Sequence, residues 1–226
     1  MTRRSASSHR WLARQRRDVY ARKAAEEGQI SRAHFKLEQL DERFKLLRRG
    51  LRVLELGAAP GGWTRYVEGK INPGCLVACD QRPIAACADT RVVAGWYGDA
   101  ETDHALALAL EQQPVDLVLS DMAPNMSGIR SADQARAMAL ADLALEAAMQ
   151  WLRPGGDLVV KLFQGEGSED WLKQVRYLFS KVYQVKPKAS RPDSREVYVV
   201  ARERRADRTV ADASAQGHHS GYHDTV

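Results

Sequence analysis

The feature that most constrains the fold is a glycine-rich turn that follows a short apolar strand. The strand ends at Leu56, and the turn occupies residues 57–62 (GAAPGG), directly before Trp63. Small side chains let a ligand approach the backbone closely, and we expect the N–H groups of this turn to be exposed to that ligand. A strand that passes through such a turn into a helix is typical of nucleotide-like cofactor sites in α/β proteins.

Apolar strands alternate with helical stretches beyond Gly50. The strands are predicted near 52–56, 75–79, 91–94, 115–120, 157–163, 181–186 and 195–201. The helices between them are predicted near 62–69, 101–112, 132–152 and 168–179. This alternation predicts an α/β fold with helices on both faces of a mostly parallel sheet. The last two strands are too close in sequence for a crossover helix, so they should pair antiparallel.

The chain divides into three parts. Residues 1–30 form a basic arm with a helix near 11–27, residues 31–205 form one domain, and residues 206–226 are expected to be a disordered tail. Eight basic residues and one acid, Asp18, lie within residues 1–23. Trp11 and Tyr20 stand among them and could stack on bases, so RNA is the favoured partner; the alternative is an arm that only aids solubility.

The sequence also indicates where the protein does not act. We see neither an apolar run long enough to cross a bilayer nor a secretory signal, and the three cysteines lack a C-x-x-C pair. We therefore expect a cytoplasmic monomer with reduced cysteines, without membrane attachment and without a metal site.

Polar residues end or interrupt the predicted strands. Asp80 ends the second strand, Asp121 ends the fourth, Lys161 lies inside the fifth and Glu196 opens the last. Lys36 borders the apolar face of the helix before the first strand. Because ligands of open α/β sheets bind at the carboxyl ends of the strands, we expect these side chains to meet there. The alternatives are a turn-capping role for Asp80, a lysine whose head reaches water for Lys161, and surface exposure for Glu196.

These motifs resemble those of one family. The matching segments are residues 32–37 (RAHFKL), 57–63 (GAAPGGW), 121–125 (DMAPN), 160–163 (VKLF), 190–192 (SRP) and 194–198 (SREVY). In this order they resemble the FtsJ-type ribosomal RNA 2′-O-methyltransferases, which use S-adenosylmethionine. The resemblance covers roughly residues 15–202 and implies a Rossmann-like fold with seven strands, the last of them antiparallel.

The resemblance implies a role for each polar residue. The cofactor site would comprise Gly57, Gly61, Trp63, Asp80, Asp99 and Asp121, with Asp80 on the ribose hydroxyls and Asp99 at the adenine amino group. The methyl donor is already a cation, so the reaction requires no metal. The catalytic set would comprise Lys36, Asp121, Lys161 and Glu196.

The catalytic roles follow from the chemistry of a hydroxyl. A desolvated lysine beside another positive charge can lose its proton, so Lys161 is expected to be the base and Lys36 to supply the charge. Asp121 would hold Lys161, and Glu196 would orient the substrate ribose or a lysine. Residues 121–125 lack the second proline and the aromatic typical of methyltransferases that act on amino groups, which favours a ribose oxygen.

The resemblance points to a uridine in the RNA of the large ribosomal subunit as the substrate. Transfer RNA and the mRNA cap are alternative substrates, since enzymes that modify them share the catalytic set. A non-catalytic assembly factor that binds RNA is a further alternative. A dinucleotide oxidoreductase is disfavoured because the turn is not G-x-G-x-x-G and contains Pro60.

Overall fold

The computed structural model of the chain describes residues 18–85 and 88–217. Residues 1–17, which include most of the predicted basic arm, lie outside the described residues, as do residues 86–87 and 218–226. The described helices are α1 (Val19–Glu26), α2 (Ala33–Phe44), α3 (Gly62–Glu68), α4 (Ala100–Ala109), α5 (Arg130–Trp151), α6 (Ser168–Leu178) and α7 (Val210–Gly217). The described strands are β1 (Val53–Leu56), β2 (Leu76–Asp80), β3 (Thr90–Ala94), β4 (Val115–Ser120), β5 (Leu152–Phe163), β6 (Phe179–Val185) and β7 (Glu196–Arg204).

The seven strands form one sheet in the order β3-β2-β1-β4-β5-β7-β6. The pairs β1–β2, β1–β4, β2–β3 and β4–β5 are parallel, whereas β7 runs antiparallel to both β5 and β6. This arrangement confirms the predicted Rossmann-like fold and the antiparallel pairing of the last two strands. The strand order reverses between β1 and β4, where ligands of open α/β sheets bind.

The sheet separates two layers of apolar packing. Leu54 and Leu56 of β1 pack in the cluster that α4, α5 and α6 cover, while Val53 packs in the cluster that α2 and α3 cover. This alternation follows from the two-residue period of a strand. The predicted strands and helices of the domain are confirmed, with boundaries that differ by a few residues.

The predicted disordered tail is wrong for part of its length. Residues 210–217 form α7, which packs against α6, and Ala213 is buried there. Arg208 supports the contact, since its Nη1 donates a hydrogen bond to Tyr177 O at 3.1 Å and its guanidinium lies 4.3 Å from the Tyr177 ring centre. The segment is too short to show hydrophobic periodicity, because its eight residues contain only one valine and three alanines as apolar side chains.

Candidate active site

A cavity of about 510 Å³ opens at the carboxyl ends of the parallel strands. Its lining comes from the glycine-rich turn after β1, the end of β2, the segment after β3 and the loop after β4. Gly57, Asp80, Asp121 and Lys161 are among the lining residues. The structure therefore brings together at one cavity four of the residues that the sequence analysis selected.

The expectation that the glycine-rich turn exposes its N–H groups is wrong for most of the turn. The N–H groups of Gly57 and Ala58 donate to Cys79 O at 2.9 and 3.2 Å, and the N–H of Gly61 donates to Ala58 O at 2.7 Å. The N–H of Ala59 donates to Asp80 Oδ2 at 2.9 Å. These donors bind β2 and the turn itself, because parallel pairing brings the end of β2 alongside the turn.

Glycine is required at position 57 by close packing. Gly57 has a φ of +74°, and a Cβ at this position would lie 2.8 Å from Met122 N and 2.9 Å from Met122 Cα. Contacts that short do not occur for real Cβ atoms. The turn therefore packs directly against the backbone that follows Asp121, and this contact sets the width of the cavity.

Asp80 connects the glycine-rich turn to the segment after β2 at the cavity. Its Oδ2 accepts from Ala59 N, and its Oδ1 accepts from Arg82 N at 2.8 Å. These bonds are the turn-capping role that the sequence left open. An ionised carboxylate has about four lone-pair positions, so these bonds leave acceptor capacity for the hydroxyls of a ligand.

The remaining predicted cofactor residues are not among the residues that line the cavity. Gly61 takes a φ of +108° before α3, and a Cβ there would lie 3.3 Å from Ile84 Cγ2. The Trp63 side chain is buried, and its Nε1 donates to Ala33 O at 2.8 Å. Asp99 is exposed just before α4, and nearby Trp96 and Tyr97 line the cavity instead. Gly61 and Trp63 thus shape the turn, and the adenine role of Asp99 stays a prediction.

A second cavity of about 290 Å³ contains the other half of the predicted catalytic set. Lys36 and Glu196 line it, and Lys36 Nζ lies 2.5 Å from Glu196 Oε1. The two side chains are 10% and 13% exposed, so the ion pair is largely shielded from water. Helix α2 supplies Lys36 from the border of its buried face, as the sequence analysis predicted.

Lys161 and Asp121 form the matching ion pair at the first cavity. Lys161 Nζ lies 2.6 Å from Asp121 Oδ1 and donates to Asp121 O at 2.9 Å. Parallel pairing explains this contact, because Ser120 is in register with Val160 and the next residues follow side by side. Burial of a lysine within an apolar strand is thus offset by a carboxylate from the neighbouring strand.

Tyr198 links the two ion pairs and is absent from the predicted site. Its hydroxyl donates to Asp121 Oδ1 at 2.5 Å and accepts from Lys36 Nζ at 3.4 Å. Tyr198 is fully buried and stands directly opposite Lys161 in the β5–β7 register. One signal in the sequence could have identified it, since Tyr198 lies two residues after Glu196 and so on the same face of the strand.

The pKa shifts of the site follow from burial and from the lysines. Burial holds the pKa of Lys36 below its ordinary value, and the charge of Lys161 contributes to this shift. Burial alone would raise the pKa values of Asp121 and Glu196, but the neighbouring ammonium groups outweigh it, so both lie below their ordinary values. Burial also holds the pKa of Tyr198 well above its ordinary value, so Tyr198 remains a hydrogen-bond donor.

Glu55 is a second buried acid near the turn. It lies on β1 two residues before Gly57, is fully buried, and neither of its carboxyl oxygens has a hydrogen-bond partner of good geometry among the described residues. Burial raises the pKa of Glu55 to about 8, and nearby Thr64 offsets only part of the shift. Glu55 is therefore predominantly protonated at neutral pH.

Within the described residues, we find no group of three or more His, Cys, Asp or Glu side chains that could hold a metal ion. The described helices also include none long and apolar enough to cross a membrane.

The strand order and the cavity at the switch point define a Rossmann-like α/β protein with a ligand site at the carboxyl ends of its strands. The model of the FtsJ-like methyltransferase family matches residues 29–204. The chain belongs to this family.

Relatives described as ribosomal RNA large subunit methyltransferase E come from several bacteria. The chain is 45% identical over 200 residues to ribosomal RNA large subunit methyltransferase E of Pseudomonas paraeruginosa, which covers 88% of this chain and 97% of the relative. It is 46% identical over 200 residues to the protein of that description from Alkalilimnicola ehrlichii, covering 88% and 96%. A crystal structure from Plasmodium falciparum, described as a ribosomal RNA methyltransferase, shares the fold with a TM-score of 0.68. Its sequence identity is 23%, and the match covers 77% of this chain and 97% of that one.

Proposed function

We propose that this protein transfers a methyl group from S-adenosylmethionine to the ribose 2′-hydroxyl of a uridine in the RNA of the large ribosomal subunit. One observation carries the proposal: a continuous hydrogen-bonded network joins Lys161 and Asp121 at the first cavity to Lys36 and Glu196 at the second, through Tyr198. Each of the two lysines is paired with its own largely buried carboxylate, and such an arrangement suits a reaction in which a hydroxyl loses its proton.

The first cavity fits S-adenosylmethionine. Its volume lies within the range of about 300–1,000 Å³ that is usual for sites of this kind. Gly57 allows the backbone to approach closely, and Asp80 retains acceptor capacity for ribose hydroxyls. The two aspartates of the lining balance its two basic residues, so no excess positive charge opposes a cationic ligand. When bound, the cofactor supplies a methyl group carried on a positively charged sulfur.

Lys161 is the proposed base. When it is neutral, its amine has two hydrogens and one lone pair, and the two acceptors on Asp121 account for both hydrogens. The lone pair then remains for the proton of the 2′-hydroxyl. As that O–H bond breaks, Lys161 Nζ would take the proton and leave the ribose oxygen free to attack. The bound cofactor would supply the methyl group, and the electrons of its sulfur–methyl bond would stay on the sulfur as a neutral thioether. Asp121 stabilises the ammonium group that results.

Lys36 and Glu196 are proposed to contact the substrate ribose. Lys36 is positioned to stabilise negative charge as it develops on the ribose oxygen. Glu196 holds Lys36 through the 2.5 Å contact and can accept a hydrogen bond from the substrate ribose. Tyr198 keeps Asp121 and Lys36 in a fixed relation, so that positioning contributes to the rate.

Ribosomal RNA is the favoured substrate because the relatives at 45–46% identity are described as large-subunit ribosomal RNA methyltransferases. The basic residues within residues 1–23 support an RNA partner. We infer a cytoplasmic location, because the proposed substrate is the ribosomal subunit. All four proposed catalytic residues come from one chain, so a monomer suffices.

The test uses large ribosomal subunits that lack the modification, together with S-adenosylmethionine that carries a labelled methyl group. We expect label in the subunit RNA, recovered after nuclease digestion as 2′-O-methyluridine. Parallel reactions would contain transfer RNA and capped mRNA. Label in either of these and none in the subunits would contradict the proposal and move the substrate to that RNA class. Label on a base would contradict the proposed chemistry.

A further inference from the structure

An acidic residue lies among the arginines of the second cavity. The side chain of Asp18, directly before α1, is 8% exposed. It is ion-paired with Arg32, and its Oδ2 lies 3.4 Å from Nε of Arg191. Both arginines line the second cavity beside Lys36 and Glu196. A carboxylate buried to this degree is costly unless it is paired, so its position depends on the two guanidinium groups.

The two arginines differ in what they offer a ligand. Arg32 donates to Asp18 through Nη1 and to Ala189 O through Nη2, so both of its terminal amino groups are engaged within the protein. Within the part of the chain that the structure describes, Arg191 donates to Asp18 through Nε, and its side chain is 39% exposed. Its terminal amino groups can therefore bind phosphate oxygens in pairs, as guanidinium groups commonly do.

We propose that Asp18 is a positioning residue for RNA. Its carboxylate fixes Arg191 beside Arg32 at the second cavity, where the terminal amino groups of Arg191 bind the phosphodiester next to the ribose that Lys36 and Glu196 receive. This inference rests on the proposed function, and it assigns to Asp18 a role in substrate binding that is separate from catalysis.

Placement matters at this cavity because its net charge is small. Asp193 and Glu196 line it together with Arg32, Lys36 and Arg191, and Asp18 adds a further negative charge. The positive and negative charges are therefore equal in number, and net charge alone would attract phosphate only weakly. Directed N–H donors from guanidinium groups held in place provide the affinity instead.

Asp18 also has a structural role that the test must separate. Its Oδ1 accepts from Ala21 N at 3.2 Å, which caps α1. Asparagine caps helices about as well as aspartate, whereas alanine does not. The substitution Asp18→Asn therefore keeps the cap and removes the negative charge, while Asp18→Ala removes both.

The experiment measures KM and kcat with large ribosomal subunits that lack the modification, the salt dependence of subunit binding, S-adenosylmethionine affinity and melting temperature. We expect both Asp18 variants to raise KM by about tenfold and to reduce the salt slope by about one, which corresponds to the loss of a phosphate contact. Both should keep kcat and cofactor affinity within about twofold. Both should lower the melting temperature because each breaks the ion pair with Arg32, and Asp18→Ala should lower it further because it also loses the cap.

Two further variants provide matched comparisons. Arg191→Lys keeps the charge but loses the donor to Asp18, so it should raise KM as Asp18→Asn does. Arg205 lies just after the end of β7, whereas Glu196 of the second cavity begins that strand, so Arg205→Lys should leave KM and the salt slope unchanged.

Two outcomes would overturn the inference. A rise in KM that occurs only in Asp18→Ala, along with lower stability, would show that Asp18 is a helix cap alone. Tighter binding of subunits by Asp18→Asn would show that the carboxylate competes with RNA phosphate. Absence of methyl transfer by the unaltered protein would instead overturn the proposed function, so the two failures are distinguishable.

Discussion

The hydroxyl of Tyr198 lies 2.5 Å from Oδ1 of Asp121, although 77 residues separate the two in sequence. The same Oδ1 lies 2.6 Å from Lys161 Nζ. One carboxylate oxygen thus receives a phenol and an ammonium group in a site shielded from water. Because Lys36 Nζ also donates to the Tyr198 hydroxyl, the position of each lysine depends on this contact.

Removal of the Tyr198 hydroxyl should slow the reaction without unfolding the protein. We expect Tyr198→Phe to reduce kcat by roughly tenfold, because hydrogen bonds to charged groups contribute about 1.5–3 kcal/mol. Cofactor affinity should stay within about twofold, since the ring still packs against Trp63. The exposed Tyr183 of β6 provides the control, and Tyr183→Phe should leave kcat unchanged. An unaltered kcat for Tyr198→Phe would show that the link is not used.

The ion pair between Lys36 and Glu196 should show strong coupling. Removing one partner from a buried pair costs about 3–5 kcal/mol, so Glu196→Gln should destabilise the fold markedly. The pKa of Lys36, already lowered by burial, should fall further when Glu196 no longer opposes the shift.

Denaturant unfolding of Lys36→Met, Glu196→Gln and the double variant measures this coupling at pH 7. The double variant should be more stable than the sum of the single effects by about 1–3 kcal/mol. Additive effects would mean that the 2.5 Å contact contributes no energy of its own.

Gly57 should not tolerate a side chain. Gly57→Ala should weaken S-adenosylmethionine binding by about tenfold or more, since a Cβ 2.8 Å from Met122 N displaces the segment that begins at Asp121. Gly74 is a matched control with a φ of +72° and no atom within 4 Å of the added Cβ. Gly74→Ala should lose only the roughly 1–3 kcal/mol that this backbone conformation costs. Titration calorimetry would decide, and equal cofactor affinity in the two variants would contradict the packing argument.

Glu55 should make stability depend on pH. Its pKa is about 8 in the folded protein against an ordinary value of 4.5, so the folded state keeps a proton that the unfolded chain releases. The contribution of Glu55 to the free energy of unfolding should therefore be greatest below about pH 4.5. It should be lost progressively as the pH rises to about 8.

Glu55→Gln should remove that dependence and raise the free energy of unfolding at pH 7 by up to roughly 3 kcal/mol. Glu101→Gln, at an exposed glutamate of α4, should have no such effect. Parallel stability profiles of the Glu55 variant and the unaltered protein between pH 5 and 8 would contradict the proposed protonation.

The sequence predicted the site residues that lie at strand ends. Asp80, Asp121 and Lys161 were found because a polar residue at the end of an apolar strand, or inside one, has few structural reasons to be there. The signal for Tyr198 is weaker, since it shares a strand face with Glu196 but a tyrosine within a strand is ordinarily part of the core. Its role depends on the β5–β7 register, which the chain order alone does not supply.

Two other features required knowledge of long-range partners. The N–H groups of the turn bind Cys79 O and Asp80. These contacts depend on the pairing of β1 with β2, which the sequence of the turn does not indicate. Helix α7 is too short to be recognised alone, because its eight residues contain only one valine and three alanines as apolar side chains. Local patterns thus predicted the elements, while the contacts that assemble the site depend on neighbours distant in sequence.

We propose that Lys161 removes the proton from the ribose hydroxyl. The most direct test is single-turnover methyl transfer to large ribosomal subunits that lack the modification, comparing Lys161→Met with the unaltered protein at saturating S-adenosylmethionine. Lys173→Met, at an exposed lysine of α6, provides the control. We expect the rate for Lys161→Met to fall by about 10²–10⁴-fold while cofactor affinity stays within a few-fold. A rate within tenfold of the unaltered protein would contradict the claim and assign the proton transfer to another group.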